Sequence, residues 1–295
     1  MKINRKKFLQ SIGLGTLGAI AGSSATSLSK ASEASDDSKT GLVPKRKLGK
    51  NGLMASVICL GAGSRFTSES FIPANEREEY LRYAMERGVN YIDTARNYGA
   101  SEQILGEMLT GNDWDRLILS TKTTSRTYEG VMNDFKTSSR QLRRDYFDVF
   151  ILHNNALTDN VGDNAPAFSA LLELRAKGLI GNIGFSSHGS VSLPVAVGLV
   201  EEFDLDHLVL NVGEGRLDYR PAIPEILAKN CTVAAIKVTR SFEGKGPVES
   251  ARLSLKDVLD RSFSSAIISH SNAGVGDRGW KKVLDENLKT AAMYG

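Results

Sequence analysis

The chain has 295 residues, 41% hydrophobic content and a formal charge of +3. That length suits one large domain or two small ones, and the charge forms no basic stripe with interleaved aromatics, which argues against a nucleic-acid partner. Cys59 and Cys231 lie in apolar runs with neither a CxxC neighbour nor a histidine at ligand spacing. They read as core thiols, and no metal site is expected.

In chain order, residues 1–34 read as an export signal. Lys2, Arg5, Lys6 and Lys7 form a cationic start, a short glycine-rich apolar stretch follows, and small residues end it near Ala31 or Ala34. The apolar run is too short and too rich in glycine for a stable membrane span. "NRKKFLQ" resembles a twin-arginine signal in which Lys6 stands where the second arginine is usual. The general secretory route and an uncleaved anchor are the alternatives. The partner implied is the export machinery and the location implied is periplasmic, or cytoplasmic if the signal is idle. Residues 35–44 read as a linker, because a Ser/Ala/Asp-rich segment cannot bury enough apolar surface to order itself.

From residue 45 to 295 the pattern changes. "KRKLGKNGLMASVI" places Asn51-Gly52 between two short extended segments, a hairpin suited to plug one end of a barrel. Eight continuous apolar runs then follow: "ASVICLGAG", "NYIDTA", "LILSTKT", "FDVFILHN", "IGNIGFSSH", "HLVLNV", "TVAAIKVT" and "SAIISHS". Continuous rather than alternating hydrophobicity is the mark of parallel strands covered on both faces. Helical patterns lie between several of them. "NEREEYLRYAMERG" is one, with Asn75 as expected cap, Glu78 three residues on and Gly88 as terminator. Such a succession predicts an α/β fold, a (β/α)8 TIM barrel with an N-terminal β-hairpin plug. The alternative, an open doubly wound sheet, normally shows a fuller glycine-rich phosphate loop than "LGAGSRF" after its first strand.

In such a barrel the chemistry sits where the strands end. Asp93, Lys122 and His153 occupy three successive strand ends, and Tyr98 lies on the loop after Asp93. Each has a plainer reading alone: a helix cap, a solvated strand end, a satisfied polar group, half-buried packing. Together they make one acid–base set. A lysine near a phenol favours phenolate and so lowers the tyrosine pKa, a carboxylate holds the lysine, and the tyrosine then donates a proton near neutral pH. A histidine opposite hydrogen-bonds the oxygen that receives it.

At these residues the chain resembles the aldo-keto reductase family. The resemblance runs from about Pro44 to Asn287 and rests on "KRKLGKNGLMASVICLG", "GVNYIDTARNYGASEQILGEML", "LILSTKT", "RRDYFDVFILHN" and "GLIGNIGFSSHG". It implies a catalytic tetrad of Asp93, Tyr98, Lys122 and His153, and hydride transfer from NADP or NAD in reduced form to a small carbonyl substrate, NADP being favoured. It also places the cofactor. Ser186 and Ser187 fall where the family holds the carboxamide with Ser-Asn, and Asn211 stands where it uses glutamine. Ile236 and Lys237 occupy the place of the aromatic stacked on the nicotinamide. His270, Ser271, Asn272 and Arg278 are the candidates for the phosphates, and Asn287 for the adenine side. The expected function is therefore NAD(P)H-dependent reduction of an aldehyde or ketone with Tyr98 as general acid. The alternatives are a nucleotide-binding barrel serving as a sensor or partner subunit, and a hydrolase or lyase using the same Tyr/Lys/His set.

Overall fold

The computed structural model describes residues 43–213, 217–238, 244–269 and 278–295. The segment read as signal and linker lies outside them, apart from Val43 and Pro44.

The chain enters through an antiparallel hairpin, β1 (Lys45–Leu48) and β2 (Leu53–Ser56), with Leu48 opposite Leu53. Gly49 and Gly52 both take positive φ in the turn, 68° and 81°, which glycine adopts without Cβ strain. Parallel strands follow: β3 (Ile58–Gly61), β4 (Tyr91–Asp93), β5 (Ile118–Thr123), β6 (Phe147–Leu152), β7 (Ile180–Asn182) running into β8 (Gly184–Ser187), β9 (His207–Asn211), β10 (Thr232–Ile236) and β11 (Ser265–Ile268). Pairing runs β5-β4-β3-β11-β10-β9-β8-β6, and β6 pairs back to β5. With β7 and β8 as one broken strand, this is a closed eight-stranded parallel barrel, and each of the eight expected runs supplies one barrel strand.

The helices are α1 (Ser64–Thr67), α2 (Arg77–Met85), α3 (Ser101–Met108), α4 (Gly111–Trp114), α5 (Tyr128–Leu142), α6 (Ala165–Ala176), α7 (Leu193–Phe203), α8 (Ile223–Ala228), α9 (Pro247–Leu259) and α10 (Gly279–Ala292). Their apolar faces and the outward strand residues form the larger core, in which Phe147, Phe150, Phe168, Phe185 and Trp280 are fully buried. A smaller core fills the barrel interior, where Leu48 and Ala55 of the hairpin join Cys59, Tyr91, Val149, Val209 and Ala234. The hairpin is therefore packed against the interior as a plug.

Two glycines fix close approaches. A Cβ on Gly184 would lie 1.7 Å from the His207 carbonyl oxygen, and one on Gly106 would lie 2.0 Å from that of Gln141. One detail of the sequence reading is corrected. Asn75 does not cap α2: it lies inside a 3-10 turn, Ala74–Glu76, and the cap residue of α2 is Glu76, with no side-chain cap bond. The Ala74 N–H instead donates to Glu69 Oε2 at 3.0 Å. Gly88 follows that helix with φ 89°, the left-handed geometry expected of its terminator.

Candidate active site

β4 and β5 pair in parallel with Asp93 opposite Ser120, which brings the last residue of β4 beside the end of β5. Lys122 Nζ donates to Asp93 Oδ2 at 2.6 Å and to the Thr94 carbonyl at 2.7 Å. Both side chains of this ion pair are nearly dry, 1% and 5% exposed. Two charges so buried persist only when paired and hydrogen-bonded, because each alone carries a desolvation penalty of several kcal/mol. The pair keeps Lys122 cationic: burial pulls its pKa down, but Asp93 and the neighbouring Tyr98 outweigh it and the net direction is up.

The loop from Thr94 to Ala100 is tied along β5. The Thr94 N–H donates to the Ser120 carbonyl at 2.8 Å, and the Arg96 N–H to that of Lys122 at 3.0 Å. Ser101 Oγ donates to the Ala62 carbonyl at 2.5 Å. Beneath the loop, Glu102 accepts from Thr121 Oγ1 at 2.6 Å and from Arg96, whose guanidinium also donates to Gln141 Oε1 at 2.7 Å. The sequence reading missed this clamp. Its signal was an arginine and a glutamate six residues apart around the tyrosine, in a segment otherwise short of charge.

Held this way, the half-buried Tyr98 ring lies over Gly63, where a Cβ would be 3.6 Å from the ring edge. Lys122 Nζ is 5.3 Å from the ring centroid. Tyr98 Oη meets His153 Nε2 at 3.4 Å, and the rings stand edge to face with centroids 5.4 Å apart. His153 is delivered by the end of β6, its N–H donating to the Thr123 carbonyl at 2.8 Å. The four predicted residues thus converge at one rim and, but for Lys122 beneath, line one cavity of about 460 Å3.

The electrostatics correct one expectation. Lys122 does pull the Tyr98 phenol toward ionisation, but burial acts more strongly in the opposite sense and Asp93 adds to it, so the net direction is upward. Tyr98 therefore keeps its proton across the neutral range. His153 is pushed down to about 3, first by burial, then by the Lys122 charge and then by His188. It is a neutral imidazole. Its Nδ1, Asp93 Oδ1 and Ser186 Oγ are buried without a hydrogen-bond partner. Buried polar atoms are seldom left unpaired, and these three gather where strands end.

The remaining predicted cofactor residues divide. Ser187 Oγ is already engaged within the protein, 2.6 Å from Tyr219 Oη and accepting from the Gly189 and Ser190 N–H groups, each at 3.1 Å. The Asn211 amide is likewise engaged locally, donating to the Leu217 carbonyl at 3.0 Å and accepting from the Gly213 N–H at 3.2 Å. Ile236 and Lys237 line the cavity, Lys237 with a positive φ of 60°. Arg278 precedes α10 and reaches Glu79 at 3.1 Å. Asn287 is buried on α10. His270, Ser271 and Asn272 lie outside the described residues. Arg65 and His188 are among the lining residues that the sequence reading missed. His188 closes "GFSSH", where attention went to the two serines before it.

Among the described residues no group of His, Cys, Asp and Glu is placed to hold a metal, and no helix is long and apolar enough to cross a membrane.

Residues 57–212 match the family model described as Aldo/keto reductase family. The chain is 33% identical over 157 residues to the uncharacterized oxidoreductase YqkF of Bacillus subtilis, covering 48% of this chain and 48% of that protein. It is 28% identical over 214 residues to D-threo-aldose 1-dehydrogenase of a Pseudomonas species, covering 60% of this chain and 64% of the other. The chain thus spans about half to two thirds of the length of these curated relatives. Among solved structures, the aldo-keto reductase AKR11C1 of Bacillus halodurans in its holo form superimposes with a TM-score of 0.63 at 21% identity, over 86% of this chain and 96% of that one. The Bombyx mori aldo-keto reductase AKR2E4 in complex with NADP gives 0.59 at 18% identity, over 83% and 92%. At that identity the two structures speak to the fold.

Proposed function

Since the chain belongs to the aldo/keto reductase family, we propose that it is an NAD(P)H-dependent oxidoreductase that reduces a small aldehyde or ketone to an alcohol. The observation that carries this reading is a proton-bearing Tyr98 next to a neutral His153, above a buried Lys122–Asp93 pair and facing a cavity.

The residues fit a nicotinamide. The orphaned Ser186 hydroxyl at the end of β8 suits its carboxamide, and Ile236 offers an apolar surface for the ring. Lys237 provides charge at the mouth. Ser187 and Asn211 shape the loops that flank the ring. When bound, the reduced nicotinamide supplies a hydride to the carbonyl carbon. Tyr98 gives its phenolic proton to the carbonyl oxygen as the C=O π bond breaks, and O–H and C–H bonds form. His153, uncharged, hydrogen-bonds the same oxygen and aligns it with the phenol. The tyrosinate left behind sits close to the Lys122 ammonium, which stabilises it until solvent returns a proton. Asp93 keeps that ammonium in place. The test is the loss of NADPH or NADH absorbance with a generic aldehyde, in wild type and Tyr98→Phe. Bound nucleotide without turnover would favour the sensor or partner-subunit reading.

The N-terminal sequence supports a second part of the proposal, export by the twin-arginine route and work in the periplasm. That route carries folded proteins, which suits a protein loaded with its cofactor beforehand. Cell fractionation with Arg5 and Lys6 both changed to glutamine tests it: retention in the cytoplasm supports the route, and undiminished export removes it.

A further inference from the structure

We infer that the carbonyl substrate carries an anionic group, a carboxylate or phosphate, and that Arg65 receives it. The inference rests on the reductase reading and names the substrate class of that same site.

Arg65 lies on α1, two residues after the Gly63 that packs on the Tyr98 ring, and it lines the cavity with Tyr98 and His153. Its guanidinium carbon lies over the Phe71 ring, 5.1 Å from the centroid, a cation–π contact. Among the described residues no carboxylate lies within ion-pair distance of it. The acid nearest in sequence, Glu69, is already committed to Arg77 at 2.9 Å and to the Ala74 N–H at 3.0 Å. Among the described residues Asp93 is the one acidic side chain on the wall, and Lys122 holds it. Among the described residues, Arg65 is therefore a guanidinium without a carboxylate partner beside the proton donor. A planar, always-charged fork held against an aromatic is suited to two-point recognition of carboxylate or phosphate oxygens.

The rest of the wall agrees. Ser64, Asn154, Asn155 and His188 bring polar surface to the cavity beside the aliphatic Val238 and Ile267, and among the described residues Tyr98 is its one phenol or phenyl ring. That lining suits a short, oxygen-rich substrate better than an aromatic or alkyl one. The residues fitted to the cofactor come from β8 to β10 and the residue after it, whereas Arg65 is on α1, which follows β3. Its charge is accordingly assigned to the carbonyl compound.

The experiment compares 4-oxobutanoate with butanal, and glycolaldehyde phosphate with glycolaldehyde, in wild type, Arg65→Gln and Arg65→Lys. Circular dichroism first shows that the variants fold. Wild type should prefer at least one anionic partner of a pair by about ten- to hundredfold in kcat/KM, the scale of a charged hydrogen bond. The pair that shows it tells carboxylate from phosphate. Arg65→Gln should bring that ratio near one through the aldehyde KM, with the NADPH KM unmoved, and Arg65→Lys should fall between. Added salt should shrink the wild-type ratio. Equal use of charged and neutral aldehydes by wild type, a preference that survives in Arg65→Gln, or a change confined to the NADPH KM each overturns the inference and leaves the reductase reading intact. Failure to reduce any of the four aldehydes counts against the reductase reading. Calorimetry of succinate and inorganic phosphate on nucleotide-loaded protein then decides the anion site directly. Binding by wild type and not by Arg65→Gln upholds it, and no binding by wild type overturns it.

Discussion

At the two ends of this barrel, two sets of buried polar groups are treated in opposite ways. At the plugged end, Tyr91 Oη lies 3.3 Å from His207 Nε2, and His207 Nδ1 lies 2.8 Å from Thr232 Oγ1. Ser265 Oγ donates to the Ser56 carbonyl at 2.7 Å. Each hydroxyl and ring nitrogen named there has a protein partner. At the open end Asp93 Oδ1, His153 Nδ1 and Ser186 Oγ have none. The first arrangement is what stability favours. The second sets a cost in stability against atoms that are ready for a ligand. The same residue types therefore mean different things at the two ends, and perturbing one end should leave the properties of the other largely alone.

The largest effect is expected from Lys122→Met. It leaves Asp93 buried and unpaired, so chemical denaturation should report a loss of about 3–5 kcal/mol. Adding Asp93→Asn should recover much of that stability and none of the rate, which separates the structural share of the pair from its share in proton transfer. The phenol also loses a cation, which disfavours phenolate. The alkaline limb of kcat/KM for reduction should move up by about one unit, from a position already above the ordinary tyrosine value. A limb that stays put would leave Lys122 a positioning role alone.

Tyr98→Phe should lower kcat/KM about 100-fold or more, the scale of losing a general acid, with nucleotide affinity and melting temperature held. A near-wild-type rate on a verified carbonyl substrate would falsify the assignment of the proton donor.

The two ends can also be told apart in acid. His153 and His207 are both held near 3 by burial, with the Lys122 charge second, against an ordinary value of 6.5. The unfolded chain binds these protons first. Stability is therefore full above about pH 6.5 and declines as pH falls toward 3, with a limiting slope of about 1.4 kcal/mol per unit for each histidine. His207→Gln should reduce that slope by about one proton and leave the pH–rate profile where it was. His153→Gln should reduce it similarly and also slow the reaction.

Ser186→Ala should have the smallest effect. The protein loses a hydroxyl that has no protein partner, so its melting temperature should hold or rise slightly, while the cofactor KM rises by about three- to tenfold. A drop in stability without a change in KM would show that the hydroxyl serves the fold.

The sequence displayed the barrel and the four rim residues because both leave one-dimensional traces. A strand buried on both faces is a continuous apolar run, and a polar residue closing such a run stands out, as Asp93 and His153 do. Other features are set in three dimensions. The resemblance assigns Ser187 and Asn211 to the cofactor, yet their bonding is decided by Tyr219 and Leu217, whose proximity no local pattern announces. Asn75 is a plausible cap by composition, but the 3-10 turn ahead of α2 moves the cap to Glu76. The direction of the Tyr98 shift depends on burial outweighing Lys122, a balance that spacing does not contain. Arg65 is one charge in a short helix until the contact with Phe71 and the commitment of Glu69 to Arg77 set it apart.

The Asp93–Lys122 pair has a consequence for how such a chain can change over generations. Losing either partner alone strands a buried charge, so every single substitution descends into a valley of stability that only a second substitution climbs out of. Tyr98 has no such lock: its ring packs on a glycine, and phenylalanine fits the same space. A lineage that gave up its chemistry would shed the tyrosine hydroxyl first and carry the dry ion pair as a relic. In divergent descendants, the hydroxyl at position 98 is thus the better witness to a living reaction, and the charges at 93 and 122 attest mainly to ancestry.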